Sequence, residues 1–149
     1  MEHDLRDIAI IGGGPTGLFA MFYAGMRGVS ARIVDALPEP GGQLAALYPE
    51  KYIFDVGGYP KVLAKDLVRA LLEQAAQFHQ PMHFGERVVG LEEDGGQFTL
   101  VTEQHRFPAR AIVIAGGIGA FSPRRLPSPS AAGIRRSTGR TSSRSARRA

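Results

Sequence analysis

The sequence predicts an α/β domain with a parallel β-sheet and a small antiparallel hairpin excursion before the last strand. Two observations favour this fold class. Short β-branched runs that end in glycine alternate with segments of helical periodicity, and beyond residue 82 the period becomes that of strands. With 149 residues and 44% apolar content, the chain is long enough to bury the core of one domain.

The first predicted elements are a strand, a helix and a second strand. Residues 7–11, "DIAII", form an apolar run followed by three glycines, as is typical of a buried parallel strand. A helix is predicted from Pro15 to about Arg27, because proline suits a first turn and Gly28 can terminate the helix. "ARIVD", residues 31–35, is the second strand. We expect the apolar residues of this helix that recur at helical spacing to pack in the core: Leu18, Phe19, Phe22, Tyr23 and Met26.

The remaining predicted elements are a second helix, a hairpin and a last strand. A polar, glycine-bearing loop runs to about Pro60, and a helix follows from about Leu63 to Phe78. "HFGERVVGLEED", the turn "DGG" and "QFTLVTEQ" then predict a hairpin. The last strand is predicted at 111–115, where "AIVIA" is again followed by glycines.

Positive charge is concentrated at the C-terminal end of the chain. Residues 1–123 contain 10 Lys+Arg and 14 Asp+Glu, whereas residues 124–149 contain 8 Arg and no acidic residue. Residues 127–149 have no apolar periodicity, so we predict a disordered, basic Arg/Ser-rich tail. Such a tail could bind nucleic acid by counterion release, but it lacks interleaved aromatic residues and follows an acidic domain. Nucleic-acid binding is therefore the weaker alternative.

Several other classes of site are disfavoured. The absence of cysteine excludes disulfides, thiolate metal ligands and dithiol redox chemistry within this chain. With only four histidines and no cysteine, the chain offers few metal ligands, and a metal site is unexpected. Since no run approaches 18 apolar residues and no signal peptide opens the sequence, we expect a soluble, cytoplasmic protein with no membrane partner.

The most informative motif is "GGGPTG", residues 12–17, between the first strand and the first helix. Gly12 allows a tight turn, Gly14 lets the backbone approach a diphosphate, and Gly17 permits close packing of helix on strand. The free amides and the positive dipole end of the helix would face the phosphates. This context predicts a Rossmann-like dinucleotide site.

Asp35 ends the second strand, 23 residues after Gly12. Its carboxylate can accept hydrogen bonds from an adenosine ribose and would repel a 2′-phosphate, so the site suits FAD or NAD and disfavours NADP. In the alternative interpretation, the glycines form only a strand-to-helix turn and Asp35 is a solvated cap.

Three blocks of sequence carry a family resemblance: "IIGGGPTGLFAMFYAGMRG", "GGQLAALYPEKYIFDVGGYPKV" and "AIVIAGGIGAFSPRRL". They resemble the FAD-binding half of ferredoxin–NADP reductases of the thioredoxin-reductase-like type, and with the segments between them they cover about residues 5–126. The second block is the most specific, because thioredoxin reductases share its "GGQL" but not, as a rule, the remaining residues of the block. The resemblance implies that the N-terminal motif holds FAD, while NADPH is bound by a separate inserted domain.

The resemblance also implies roles for individual residues. Asp35 would bind the adenosine ribose, and Gly14 and Thr16 the diphosphate region. Gln43 would lie along the flavin end, and the Gly-Gly-Gln turn supports this role because it offers close backbone approach and an amide that both donates and accepts.

Three further positions depend on the resemblance alone. Tyr48 would lie near the flavin, the backbone of Val88 would meet the adenine, and Phe121 would be another contact to the dinucleotide. Composition by itself would assign them ordinary packing roles. No catalytic acid, base or nucleophile and no metal ligand is predicted, since the flavin supplies the difficult chemistry.

Such a reductase would pass electrons from NADPH through FAD to ferredoxin or flavodoxin, as a homodimer in the full-length family. This chain departs from the family, whose members are much longer and contain an NADPH domain and a returning C-terminal segment. We therefore predict an incomplete FAD-binding domain at 1–126 that is inactive alone, and we hypothesise that the reading frame breaks near "RRLPSPS". The alternatives are a thioredoxin-reductase-like flavoprotein and a stand-alone FAD- or NAD-binding module.

Overall fold

A computed structural model describes residues 4–119, which form a six-stranded sheet, a separate two-stranded sheet and three helices. The predicted Arg/Ser-rich tail and Phe121 lie outside the described residues. In chain order the elements are β1 (Arg6–Ile11), α1 (Pro15–Met26), β2 (Ala31–Asp35), α2 (Gly42–Ala46), β3 (Tyr52–Ile53), β4 (Val62–Leu63), α3 (Ala64–Ala76), β5 (Met82–Phe84), β6 (Val88–Asp94), β7 (Gln97–Thr102) and β8 (Arg106–Ile114).

The large sheet has the order β5-β2-β1-β8-β7-β6. Its first four strands are parallel, and β8, β7 and β6 are joined by antiparallel pairing. The predicted α/β class with a parallel sheet and an antiparallel hairpin is confirmed. Because the four parallel strands run the same way, their carboxyl ends meet at one edge of the sheet, where ligands bind in open α/β folds.

Strand β8 changes neighbours along its length. Its first part pairs with β7, where Leu100 is opposite Phe107, and its second part pairs with β1, where Ile11 is opposite Ile114. Ala109 is the residue that pairs on both sides. The hairpin is therefore continuous with the parallel sheet, and the last strand begins at Arg106, earlier than the sequence predicts.

Two hydrophobic cores lie on opposite faces of the sheet. Successive residues of β2 point to opposite faces, so Ile33 packs with Ile10 and Leu18 under the helices, while Val34 joins the second core. The second core contains Leu100 from β7, together with Ala9, Phe107 and Ala109. The hairpin thus contributes to covering the face that α1 and α3 leave free.

The predicted core stripe of α1 is only partly correct. Leu18 is buried, but Phe19, Tyr23 and Met26 are 50%, 53% and 57% exposed. The helix is apolar around most of its circumference, so more than one of its faces carries apolar residues at helical spacing. The buried face is the one on which α1 can approach its neighbours most closely: a Cβ on Gly25 would lie 2.2 Å from Cγ of Phe78.

Residues 36–60 are more ordered than the predicted loop. They contain the short helix α2 and the strand β3, which pairs with β4 so that Tyr52 is opposite Leu63. Elements of five and two residues give no detectable periodicity in a sequence. Across residues 4–119, none of the helices has both the length and the apolar character that crossing a bilayer requires.

Candidate dinucleotide-binding site

The glycine-rich turn brings β1 and α1 into direct backbone contact. Gly12 has a φ of 108°, and a Cβ there would lie 2.5 Å from the carbonyl oxygen of Ala115. A Cβ on Gly17 would lie 1.8 Å from the carbonyl oxygen of Gly12, so no larger residue fits without moving the helix. Leu18 donates to the Gly14 carbonyl at 2.9 Å. The earlier amides of α1 have no acceptor within the helix, and they form its positive end.

A cavity of about 810 Å³ opens at the carboxyl ends of β1, β2 and β8. Its walls come from the glycine-rich turn, the end of β2, the start of α2, the connection before β6 and the glycines after β8. Six residues predicted from the sequence line this cavity: Gly12, Gly14, Thr16, Asp35, Gln43 and Val88.

The other predicted residues are placed differently. Gly17 lies beneath the turn against Gly12, so it shapes the cavity without lining it. Tyr48 is 46% exposed, lies outside the cavity lining, and has Nζ of Lys51 5.3 Å from its ring centre. Phe121 falls outside the described residues, although Ile118 and Gly119 just before it line the cavity.

Backbone amides hold the carboxylate of Asp35 at the cavity wall. The N–H of Leu37 donates to Oδ1 at 2.7 Å, and the N–H of Gly13 donates to Oδ2. Each carboxylate oxygen has two lone pairs, so both oxygens can still accept a hydrogen bond from a ligand hydroxyl. The turn and the end of β2 are therefore joined through this carboxylate.

Helix α2 begins directly against the glycine-rich turn. The N–H of Gly41 donates to the carbonyl of Gly13 at 2.8 Å. Gly42 has a φ of 56°, and a Cβ there would lie 3.1 Å from Cα of Gly14. This close approach explains why two glycines precede Gln43, whose side chain is thereby carried to the cavity.

The connection between β5 and β6 forms a wall that sequence analysis missed except for Val88. The N–H of Gly85 donates to the carbonyl of Leu37, and the N–H of Glu86 donates to the carbonyl of Asp35, both at 2.8 Å. Glu86 and Arg87 line the cavity together with Val88. The only available signal was a charged pair placed directly before a strand, which is too common to indicate a site.

A family model described as "Pyridine nucleotide-disulphide oxidoreductase" matches residues 6–147. The ferredoxin–NADP reductase of Thermus thermophilus is 57% identical over 130 residues, which are 87% of this chain and 39% of that protein. The ferredoxin–NADP reductase of Halalkalibacterium halodurans is 52% identical over 126 residues, which are 84% of this chain and 38% of that protein. The chain thus spans about two fifths of the length of these relatives.

Solved structures show the same likeness in three dimensions. Thioredoxin reductase from Lactococcus lactis matches with a TM-score of 0.71 at 26% identity, over 84% of this chain and 39% of that chain. Thioredoxin reductase from Streptococcus pyogenes matches with a TM-score of 0.66 at 26% identity, over 74% of this chain and 35% of that chain. The resemblance drawn from the three sequence blocks is confirmed.

Proposed function

The chain belongs to the pyridine nucleotide-disulphide oxidoreductase family, and from that premise we propose that its cavity binds FAD. The family is one of flavin- and pyridine-nucleotide-dependent oxidoreductases. One observation carries the proposal: the first amides of α1, the Asp35 carboxylate and Gln43 meet at a single cavity. FAD needs close backbone donors for its diphosphate, an acceptor for its ribose hydroxyls and polar groups at its isoalloxazine edge.

The residues divide among three parts of the cofactor: the adenosine, the diphosphate and the flavin. Asp35 and Val88 lie beside the connection before β6, and we assign them to the ribose and the adenine. Gly14 and Thr16 lie at the start of α1, and we assign them to the diphosphate. Gln43, on α2, takes the flavin end.

Tyr48, predicted near the flavin, and Phe121, predicted as another contact to the dinucleotide, stay proposals that rest on the family resemblance. Tyr48 follows α2, so it belongs to the flavin side of the cavity, but its ring lies outside the lining. Phe121 follows the cavity-lining glycines after β8 in the sequence. Gly12 and Gly17 contribute by allowing the turn and not through side-chain contacts.

In the whole protein we propose that FAD accepts electrons from NADPH and passes them to ferredoxin or flavodoxin. Two relatives are named ferredoxin–NADP reductase, and their names support NADP(H) and ferredoxin as the redox partners. The isoalloxazine ring supplies the redox chemistry when bound, while the residues described here bind and orient it. We propose that NADPH binds elsewhere, because the Asp35 carboxylate would repel its 2′-phosphate. We therefore expect the 149-residue chain to bind FAD without turning over NADPH.

The test is a titration of the full 149-residue chain with FAD, in which the change in flavin fluorescence reports binding. We expect saturable binding of one FAD per chain and a yellow protein, with no competition from NADP⁺. Circular dichroism on the same sample verifies folding. Well-folded protein that remains colourless and shows no saturable uptake would overturn the proposal.

NAD is the second candidate ligand, because the glycine-rich turn and the ribose-binding carboxylate suit any dinucleotide without a 2′-phosphate. Uptake of NAD⁺ without uptake of FAD in the same titration would favour a nucleotide-binding module of a different kind. Reduction of bound flavin by NADPH would show that the chain contains an NADPH site after all.

A further inference from the structure

Glu86 is absent from the predicted set of cofactor-binding residues, yet its backbone is fastened to the ribose side of the cavity. Its N–H donates to the carbonyl of Asp35, and the preceding N–H, of Gly85, donates to the carbonyl of Leu37. Leu37 in turn donates to the Asp35 carboxylate. The segment before β6 and the segment after β2 are therefore one hydrogen-bonded unit.

The side chain of Glu86 ties the same segment to the turn between β7 and β8. The side chain is 9% exposed. Oγ1 of Thr102 donates to Oε2 at 2.6 Å, and Nδ1 of His105 lies 2.6 Å from Oε1. The hydrogen bond from Thr102 is the main cause that holds the pKa of Glu86 below its usual range, so the carboxylate is ionised at neutral pH. Both oxygens are already engaged by protein, which fits a supporting role.

Thr102 is itself the organising residue of that turn. Its hydroxyl oxygen accepts the N–H of His105 at 2.9 Å, while its backbone N–H donates to the carbonyl of His105 at 3.0 Å. One hydroxyl thus closes the turn and donates to Glu86. The carboxylate is held by a rigid partner, and this makes it an effective anchor.

The anchor lies at an irregularity in the β6–β7 ladder. Val88 pairs with Thr102, but Gly90 pairs with Val101, so one additional residue is accommodated in β6 between them. Bulges of this kind change the direction of a strand and re-aim its backbone. The backbone of Val88, assigned to the adenine, is therefore opposite the threonine that holds Glu86.

We propose that Glu86 is a positioning residue for the adenosine half of the cofactor. It acts through the backbone of Val88 and through the Asp35 segment, by fixing both against the β7–β8 turn, and this inference rests on the proposed function. Removing the carboxylate releases the wall that meets adenine and ribose. The hydrogen bonds of the Glu86 side chain, to Thr102 and His105, do not involve the start of α1 or the flavin end.

The experiment measures the affinity of the full chain for FAD and for ADP, which carries the adenosine and diphosphate without the flavin. Glu86→Ala is expected to weaken both ligands by the same factor, about tenfold or more, because two buried hydrogen bonds to a charged acceptor are lost. Glu86→Gln keeps an acceptor for Thr102 and a polar partner for the ring nitrogen of His105, so it should restore most of the affinity. Thr102→Val should weaken FAD binding about threefold, and the double variant should cost less than the sum of the two single changes, since both remove the Thr102–Glu86 hydrogen bond.

Gly25→Ala is the matched control for loss of stability. Its Cβ would strike the ring of Phe78 between α1 and α3, away from the cavity. It should lower Tm while leaving the affinities for FAD and ADP, measured well below Tm, unchanged.

If Glu86→Ala lowers Tm but leaves both affinities unchanged, Glu86 is merely structural and the inference is overturned. If wild type binds ADP but not FAD, the proposed function fails and the ADP series still decides the role of Glu86; if it binds neither, both are overturned.

Discussion

Replacing Gly14 with alanine should separate cofactor binding from folding. Gly14 has φ −73° and ψ −175°, a conformation that alanine adopts without strain. Its Cβ would lie 3.9 Å from Cα of Gly42, an ordinary contact, and apart from the adjacent backbone it would meet no other atom of residues 4–119 within that distance. Alanine is a poorer N-cap than glycine but has less conformational freedom to lose on folding. We therefore expect the free energy of unfolding to change by no more than about 1 kcal/mol.

The same methyl group should strongly weaken FAD binding. Gly14 lines the cavity at the start of α1, where the diphosphate is proposed to meet the backbone. Displacing the phosphates lengthens at least two charge-assisted hydrogen bonds, each worth about 1.5–3 kcal/mol. A loss of about 3 kcal/mol corresponds to an increase in Kd of about a hundredfold.

Flavin fluorescence titration and thermal unfolding in one buffer provide the two measurements. Gly57→Ala is the matched control, because a Cβ there would meet no described residue other than its chain neighbours within 4 Å, and Gly57 lies outside the cavity lining. It should change neither Kd nor Tm appreciably. If Gly14→Ala binds FAD as tightly as wild type, the diphosphate does not lie on the glycine-rich turn.

Three further predictions concern stability. Gly17→Ala places a Cβ 1.8 Å from the Gly12 carbonyl oxygen, so α1 must move. We expect the free energy of unfolding, measured in urea, to fall by about 3 kcal/mol. An unchanged urea midpoint would show that the helix adapts freely. Hydrogen bonds from hydroxyl groups are the main cause that lowers the pKa values of Glu86 and Asp7. The ionised carboxylates therefore stabilise the fold fully above their usual pKa range, near pH 4. This contribution is lost as the pH falls through the lowered pKa values. The urea midpoint should therefore fall between pH 5 and pH 2, and a flat profile would contradict this. Arg32→Met should change stability by no more than about 1 kcal/mol, because the cost of burying the charge offsets the gain from its ion pair with Asp4. Arg32 is 1% exposed, and its Nε has no hydrogen-bond partner among the residues that the structure describes. A loss above about 3 kcal/mol in the same assay would refute that balance.

The first half of the fold could be predicted closely from the sequence. The "GGGPTG" turn marks the end of β1 and the start of α1, and β2 is found at 31–35 as predicted. These elements are encoded locally, by glycine and proline at positions where few other residues fit. The buried face of α1 could not be predicted, because the exposed Phe19 and Met26 are as apolar as the buried Leu18 and Met21.

The cavity was predictable where one local motif or one family block specifies it. Asp35 and Gly14 follow from the spacing of the motif, and Gln43 from the "GGQ" turn. Glu86 was missed because its partners, Thr102 and His105, lie in a turn that only the folded sheet brings close. No pattern within "FGERVV" indicates that interaction.

The strand order has a consequence for how the chain is made. β1 is flanked by β2, which follows it closely in the sequence, and by β8, where Ile11 pairs with Ile114. During synthesis, β1 leaves the ribosome with one side unpaired, and that side waits until almost all of the described chain has emerged. Contacts between such distant residues slow folding and prolong the exposure of an apolar strand. The free edge of β1 is therefore open to pairing with other chains until β8 arrives.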